Sequence, residues 1–457
     1  MFIFLFIYLS IFLIAIYQIF SNKIAFIQYF FIFALPIYIT TLSVAFLYNL
    51  STIIPFLQFT KEILVLCALS ILIFKNRNLF SLNNIDKLLI LYASLVFIYI
   101  LLPIGPMSIY QKLVATKSIA FFPIVYFLGK LIPTDSINID KIFKLICLVA
   151  IITALILLFE VISNQNLQKF TGYANFMIKY FNQESSGNFG LSWTFETDNG
   201  LKRFASLYSM PLEHAAATLI TIAAILSMSL TKNNTYSFDK FLLLSIVASI
   251  LSILFALSRA SLIGYMLIVY LYTLITKNKN ATKLLRYIFL ILIFLFVFSI
   301  KDEIKNFFLG TIMFTNSSSL THLLAWTEAI ISIYSHPMGI GLGTIGNLVS
   351  SDTSFFAGEN EFLIIGVQVG LLPMFIYLFI YYKIIKIAFE GFKIYEGKTK
   401  KLALFLFLVK IGMIFPLVSS EIESYIYISY LVWFLTGYYV NLVSTQSTLL
   451  KIQMTND

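Results

Sequence analysis

From Ile142 to Ile162 the chain reads IFKLICLVAIITALILLFEVI, and its charges, Lys144 and Glu160, lie near the two ends. As a helix rising 1.5 Å per residue, this stretch is about 30 Å long, the thickness of a bilayer's hydrocarbon core. Runs of the same kind recur from one end of the sequence to the other. Of 457 residues, 60% are hydrophobic and 11% charged, with a mean hydropathy of +0.92. A soluble domain carries roughly 25% charged residues, so a soluble globular protein is excluded. The expected fold is an all-α polytopic integral membrane protein. The 47 Phe and 27 Tyr suit lipid-facing and interfacial positions.

Expected spans are 2–20, 25–42, 61–75, 87–102, 113–131, 142–162, 211–230, 241–257, 260–276, 285–300, 361–382, 402–418 and 424–444, which gives about 12–13 transmembrane helices. The opening stretch, 1–20, has no basic leader and no small-residue cleavage site, so it reads as a retained helix rather than a signal peptide. Cys67 and Cys147 both fall inside apolar runs and read as packed thiols, not a disulfide.

Charge predicts the orientation. The connections 75–87, 130–144, 231–240, 277–286 and 383–401, with Lys23 and the C-terminal tail, hold about two thirds of the 31 Lys and Arg and a third of the 21 acids. Basic residues stay on the cytoplasmic side, which places this set inside. The alternate connections carry most of the acids and all three histidines, His214, His322 and His336. The net charge of +10 is therefore a topology signal and not a nucleic-acid footprint. Two outer loops stand out by length, 163–208 and 302–358, and long irregular segments usually carry function. The chain divides into N-terminal spans (1–162), an extracytoplasmic loop (163–208), spans with a Ser-Arg hairpin turn (209–301), a second outer loop with an amphipathic helix (302–360), and C-terminal spans with a short cytoplasmic tail (361–457).

The sequence has only four arginines, and two of them, Arg77 and Arg286, lie in expected cytoplasmic loops. Arg203 closes the first long outer loop, and Arg259 sits at an outer hairpin turn in Ser258-Arg259-Ala260-Ser261. A guanidinium at a membrane boundary either snorkels, pairs with an acid such as Glu213, or serves function. Its donor fork suits phosphate oxygens. Leu320, Leu323, Leu324, Ile330, Ile331 and Tyr334 recur at helical spacing and predict an amphipathic interfacial helix, with Ser318 or Ser319 as N-cap. His322 and Trp326 share one of its faces.

After that helix, Gly341-Leu-Gly343-Thr-Ile-Gly346 spells a dinucleotide fingerprint. No strand precedes it, so it reads as glycines that let the loop fold back. In Gly358-Glu359-Asn360-Glu361, two carboxylates stand at the start of an apolar run. They suit either general-base chemistry on a sugar hydroxyl or helix capping. Glu160, Glu213, Lys410, Glu421 and Glu423 are further charges near or within apolar runs. Histidines are scattered and no metal-ligand spacing occurs, so no metal site or cofactor is expected.

Taken in order, these clusters resemble the O-antigen polymerase and O-antigen ligase superfamily over roughly 195–385. The resemblance runs through Arg203 with Pro211, the Ser258-Arg259-Ala260-Ser261-Leu262-Ile263-Gly264 turn, Trp326 leading to Pro337, Gly339, Gly341 and Gly343, then Asn360-Glu361-Phe362-Leu363 and Val367-Gln368-Val369-Gly370-Leu371. His322 stands where the family usually has an arginine. Glu359 stands where its ligases have a histidine, which favours a polymerase (Wzy-type) over a ligase. A flippase or other transporter of lipid-linked glycans is the reading from another class, and it would put charges along a path through the membrane middle.

The resemblance implies a bacterial inner-membrane enzyme with its active site facing the periplasm. Its donor and acceptor would be oligosaccharides linked to undecaprenyl pyrophosphate, and a chain-length regulator and a flippase would be candidate partners. In that scheme Arg203 and Arg259 bind the pyrophosphate, Glu359 acts as base, Glu361 and His322 stand in reserve for the base and phosphate roles, and no metal takes part.

Overall fold

The structure is a computed structural model and describes residues 1–75, 82–230, 237–276, 317–346 and 359–456, with isolated positions between 282 and 290. Among the described residues it is all-helical, and its only strand-like pairings are the isolated bridges Ser186–Leu191 and Glu196–Lys202. Nine helices there are long and apolar enough to cross a membrane, and eleven if each of two bent helix pairs counts as one span. The apolar helix Lys240–Ala256 is 17 residues long. The expected span 285–300, apart from residues 286, 287 and 290, lies outside the described residues, as do Arg77 and the parts 302–316 and 347–358 of the second expected outer loop.

Several expected spans change. Those at 25–42 and 113–131 are the bent pairs, Ile24–Phe33 with Leu35–Leu47 and Ile109–Ala120 with Phe122–Leu131. The run expected at 61–75 is the later part of a helix from Ile54 to Lys75, so Lys61 and Glu62 lie inside the helix rather than at its start. The run expected at 361–382 is two helices, Glu361–Val369 and Leu371–Ile394, because Gly370 adopts φ +89°. A Cβ there would sit 2.6 Å from the Pro337 carbonyl oxygen, so conformation and space both require glycine.

Local chemistry sets many helix starts. Asn83 and Asp86 form a reciprocal capping box, as do Ser108 and Gln111. Asn138 and Asp239 accept the backbone N–H groups of Lys141 and Leu242. The most enclosed spanning helices are Pro211–Met228 and the last one, Ile426–Asn456; the first, Ile3–Phe20, is peripheral. The last helix crosses Phe122–Leu131 closely. A Cβ at Gly129 would sit 2.0 Å from the Phe434 carbonyl oxygen, and one at Gly437 would sit 1.9 Å from that of Tyr126. Small residues permit such close backbone approach between membrane helices.

The basic connections meet at one end of the bundle. Lys130 pairs with Asp86, Lys398 with Asp135 at 3.3 Å, and Lys401 with Asp140 at 2.6 Å. Tyr438 and Asn441 donate to the carbonyls of Thr134 and Ile132. Helix Ile139–Ser163 runs from this end and delivers the chain to the opposite one, where the segment 163–208 folds into short helices, Leu167–Phe170 and Tyr173–Phe181, and turns, with no spanning helix.

Candidate functional site

Arg203 is positioned by its backbone. Its N–H donates to the Phe195 carbonyl and its own carbonyl accepts from Asn166 Nδ2, both at 2.9 Å. The next residue, Phe204, donates to the Phe255 carbonyl at the end of the neighbouring helix. Three residues on, Ser206 adopts φ +51°, held by its N–H on Glu160 Oε2 at 3.0 Å and its hydroxyl on the Thr153 carbonyl at 2.7 Å. Glu160 also accepts the Leu167 N–H. This intramembrane acid, a functional candidate in the sequence, thus ties the loop carrying Arg203 to its helix. Glu213 likewise accepts both the N–H and the hydroxyl of Ser209.

The Arg203 side chain is buried, and its Nε has no hydrogen-bond partner. Burial, with the neighbouring Arg259 charge, lowers its pKa from the usual value to about 10. Arg259 opens the helix Arg259–Thr276, immediately after the turn in which Leu257 takes φ +48°. Two guanidiniums held close enough to repel each other, with the single acid Asp198 acting on both, leave a local excess of positive charge that favours an anion.

Both guanidiniums line one large cavity of about 1060 Å³. The same cavity is also lined by His322 and Trp326, from the helix Ser317–Ser335, and by Glu359. His322 Nδ1 pairs directly with Glu359 Oε2. The helix begins at Ser317, so Ser318 and Ser319 lie inside it instead of capping it. Its face of Leu320, Leu323, Leu324, Ile330, Ile331 and Tyr334 is exposed on the bundle, while Ala325, Ala329 and Ile333 pack inward. That arrangement suits a helix lying against lipid.

The acidic pair of the next motif separates into two environments. Asn360 caps the helix Glu361–Val369, its side-chain oxygen accepting the N–H groups of Phe362 and Leu363 at 3.0 and 3.2 Å. Glu359, just before the cap, faces the cavity. Glu361, just after it, is fully buried, does not line the cavity, and accepts the Glu423 N–H at 3.0 Å. Glu423 itself is held by Tyr377, Ser429 and Trp433, and Lys410 Nζ lies 3.8 Å from the Trp433 ring centroid. Glu423 also lines the cavity, while Glu361 and Lys410 do not and belong to the frame that holds it.

The glycine stretch docks on that frame. Ile340 and Gly341 donate to the carbonyls of Val367 and Gln368. The Gln368 side chain accepts from Gly343 N–H and donates to the Ile345 carbonyl, both at 2.9 Å. It is a loop folded back on a helix end, as its glycines predict.

One cluster on the cavity wall escapes the sequence reading. Lys61 and Lys117 both reach Glu62 Oε1, at 3.0 and 2.6 Å. Lys61 also donates to Tyr38 Oη and the Gln58 carbonyl. All three charged side chains line the cavity that Arg203 and Arg259 line. The continuation of apolar residues before Lys61, from Ile53 to Phe59, was the signal that these charges lie inside a helix.

No protein-family model matches this chain, and no curated protein is significantly similar to it.

Proposed function

We propose that the protein is a polysaccharide polymerase that joins oligosaccharide repeat units carried on undecaprenyl pyrophosphate, at the end of the bundle away from its basic loops. The observation that carries the reading is that Arg203 and Arg259 line one cavity together with the Glu359–His322 pair. The ordered motifs that resemble the O-antigen polymerase and ligase superfamily give the reading its substrate class.

In the proposed reaction the donor's pyrophosphate lies against Arg203 and Arg259. An acceptor sugar hydroxyl, oriented by Glu359, attacks the donor's anomeric carbon and gives its proton to that carboxylate. The bond between the anomeric carbon and the phosphate oxygen breaks, a glycosidic bond forms with inversion, and undecaprenyl pyrophosphate leaves with its charge neutralised by the guanidiniums. Preorganised donors at a developing anion are among the largest catalytic contributions. In this scheme His322, whose Nδ1 lies against Glu359 Oε2, orients that carboxylate.

The test is reconstitution of the purified chain with lipid-linked repeat units from its source organism, with products resolved on a gel. A ladder from lipid-linked units alone supports the polymerase. A product that needs lipid A–core makes the protein a ligase. The buried Lys61–Glu62–Lys117 cluster is the observation that favours a transporter, and intact donor moved across the bilayer without new bonds would select that reading.

A further inference from the structure

We propose that Glu62 and Lys117 form a second subsite in the same cavity, which holds a sugar ring of the saccharide by its hydroxyls. The inference rests on the polymerase reading for the origin of the sugar and on the geometry for the site. Glu62 lies eight residues into its helix, about 12 Å along the axis from Ile54. It lines the cavity and is 6% exposed, and its Oε2 has no hydrogen-bond partner. Leaving a buried carboxylate oxygen unmatched costs free energy that a donor from a ligand would recover.

The neighbours decide which ligand. Lys61 is 1% exposed and spends its donors on Tyr38, Gln58 and Glu62, so it is a fixed counter-charge. Lys117 spends one donor on Glu62 Oε1, and its side chain is 33% exposed. The site thus offers a vacant acceptor beside available donors. An ionised phosphate brings only acceptors, and it would set oxygen against Glu62 Oε2. A sugar hydroxyl brings both, donating to Oε2 and accepting from Lys117. Tyr110, largely exposed, lines the same cavity and provides an apolar face for a ring, while the Phe59 ring lies under the Lys117 ammonium, 5.2 Å from its centroid. The two poles divide the substrate: guanidiniums for the pyrophosphate, and the carboxylate–ammonium pair for sugar.

Two probes separate the poles by calorimetry on the full chain in detergent. One is inorganic pyrophosphate, and the other is lipid-free oligosaccharide released by mild acid from the source organism's lipid-linked glycans. Glu62→Gln and Lys117→Met are each expected to weaken oligosaccharide binding about tenfold or more, as for a lost charged hydrogen bond, and to leave pyrophosphate binding in place. Arg203→Ala is expected to do the reverse.

Glu62→Gln leaves two ammoniums without their carboxylate and could unfold the chain, whereas Lys117→Met keeps the Lys61–Glu62 pair. In the wild type each probe is expected to bind in the presence of the other. Oligosaccharide that does not bind, that pyrophosphate displaces, or that binds Lys117→Met as tightly as wild type overturns the subsite. Oligosaccharide binding without any pyrophosphate binding keeps the subsite and sinks the polymerase reading.

Discussion

At the scale of single residues, Arg203 and Glu361 show how placement decides what a charge does. Arg203 is held by its backbone so that a buried guanidinium with an unpartnered Nε faces the cavity. Arg203→Ala and Arg259→Ala are each expected to lower polymer formation by about 10²–10³-fold, the loss seen when one preorganised donor to a developing anion is removed. Membrane abundance, read by immunoblot, should stay unchanged, and full activity in either variant removes that residue from the pyrophosphate role. Glu359→Gln is expected to lower turnover about 10²–10⁴-fold while donor binding holds, as for loss of a general base. Equal turnover would leave Glu359 as no more than the partner of His322.

Glu361 is expected to behave differently, because it is sealed beneath the site. Its Oε2 accepts the Glu423 N–H at 3.0 Å, so it ties the start of its helix to the segment carrying Glu423. Glu361→Ala, which removes that acceptor, is expected to lower the melting temperature of the purified chain, as for a lost buried hydrogen bond. A melting curve equal to that of the wild type would contradict the assignment.

At the scale of elements, the account depends on breaks and crossings. Gln368 fastens the glycine stretch with two bonds, to Gly343 and Ile345. Gln368→Leu, which removes both, should cost about 1–3 kcal/mol of local stability. Faster amide exchange at Gly343 is the readout, and unchanged exchange would show that the loop is held by its backbone contacts alone. Span starts were legible to within three residues where the runs expected from 87 and 142 belong to helices that open at Asn84 and Ile139. They were not legible at Gly370 or before Lys61. A glycine within an apolar run does not reveal its φ, and a span taken to start at the first charge leaves out the helix before it, here from Ile54.

At the scale of the molecule, the alternation of basic connections anticipated which loops meet at one end. Arg203, Arg259 and Glu359 stand out in the sequence because isolated charges at apolar boundaries are costly, and His322 because it shares a face of the amphipathic helix with Trp326; the fold brings all four to one cavity. Glu62 and Lys117 stayed hidden because a pair separated by 55 positions leaves no local pattern, and only packing joins them. Single cysteines placed at Asp135 and at Asp198 should be labelled by an impermeant reagent from opposite sides of the membrane, the second from outside in intact spheroplasts. Labelling of both from one side would overturn the two-ended arrangement.

The central claim is that the guanidinium pole carries the leaving pyrophosphate of a glycosyl transfer. The most direct measurement counts undecaprenyl pyrophosphate released against glycosidic bonds formed in proteoliposomes supplied with lipid-linked repeat units. The account predicts one carrier released per bond, with both falling together in Arg203→Ala. Bonds formed without carrier release, or equal release in Arg203→Ala and wild type, would contradict it.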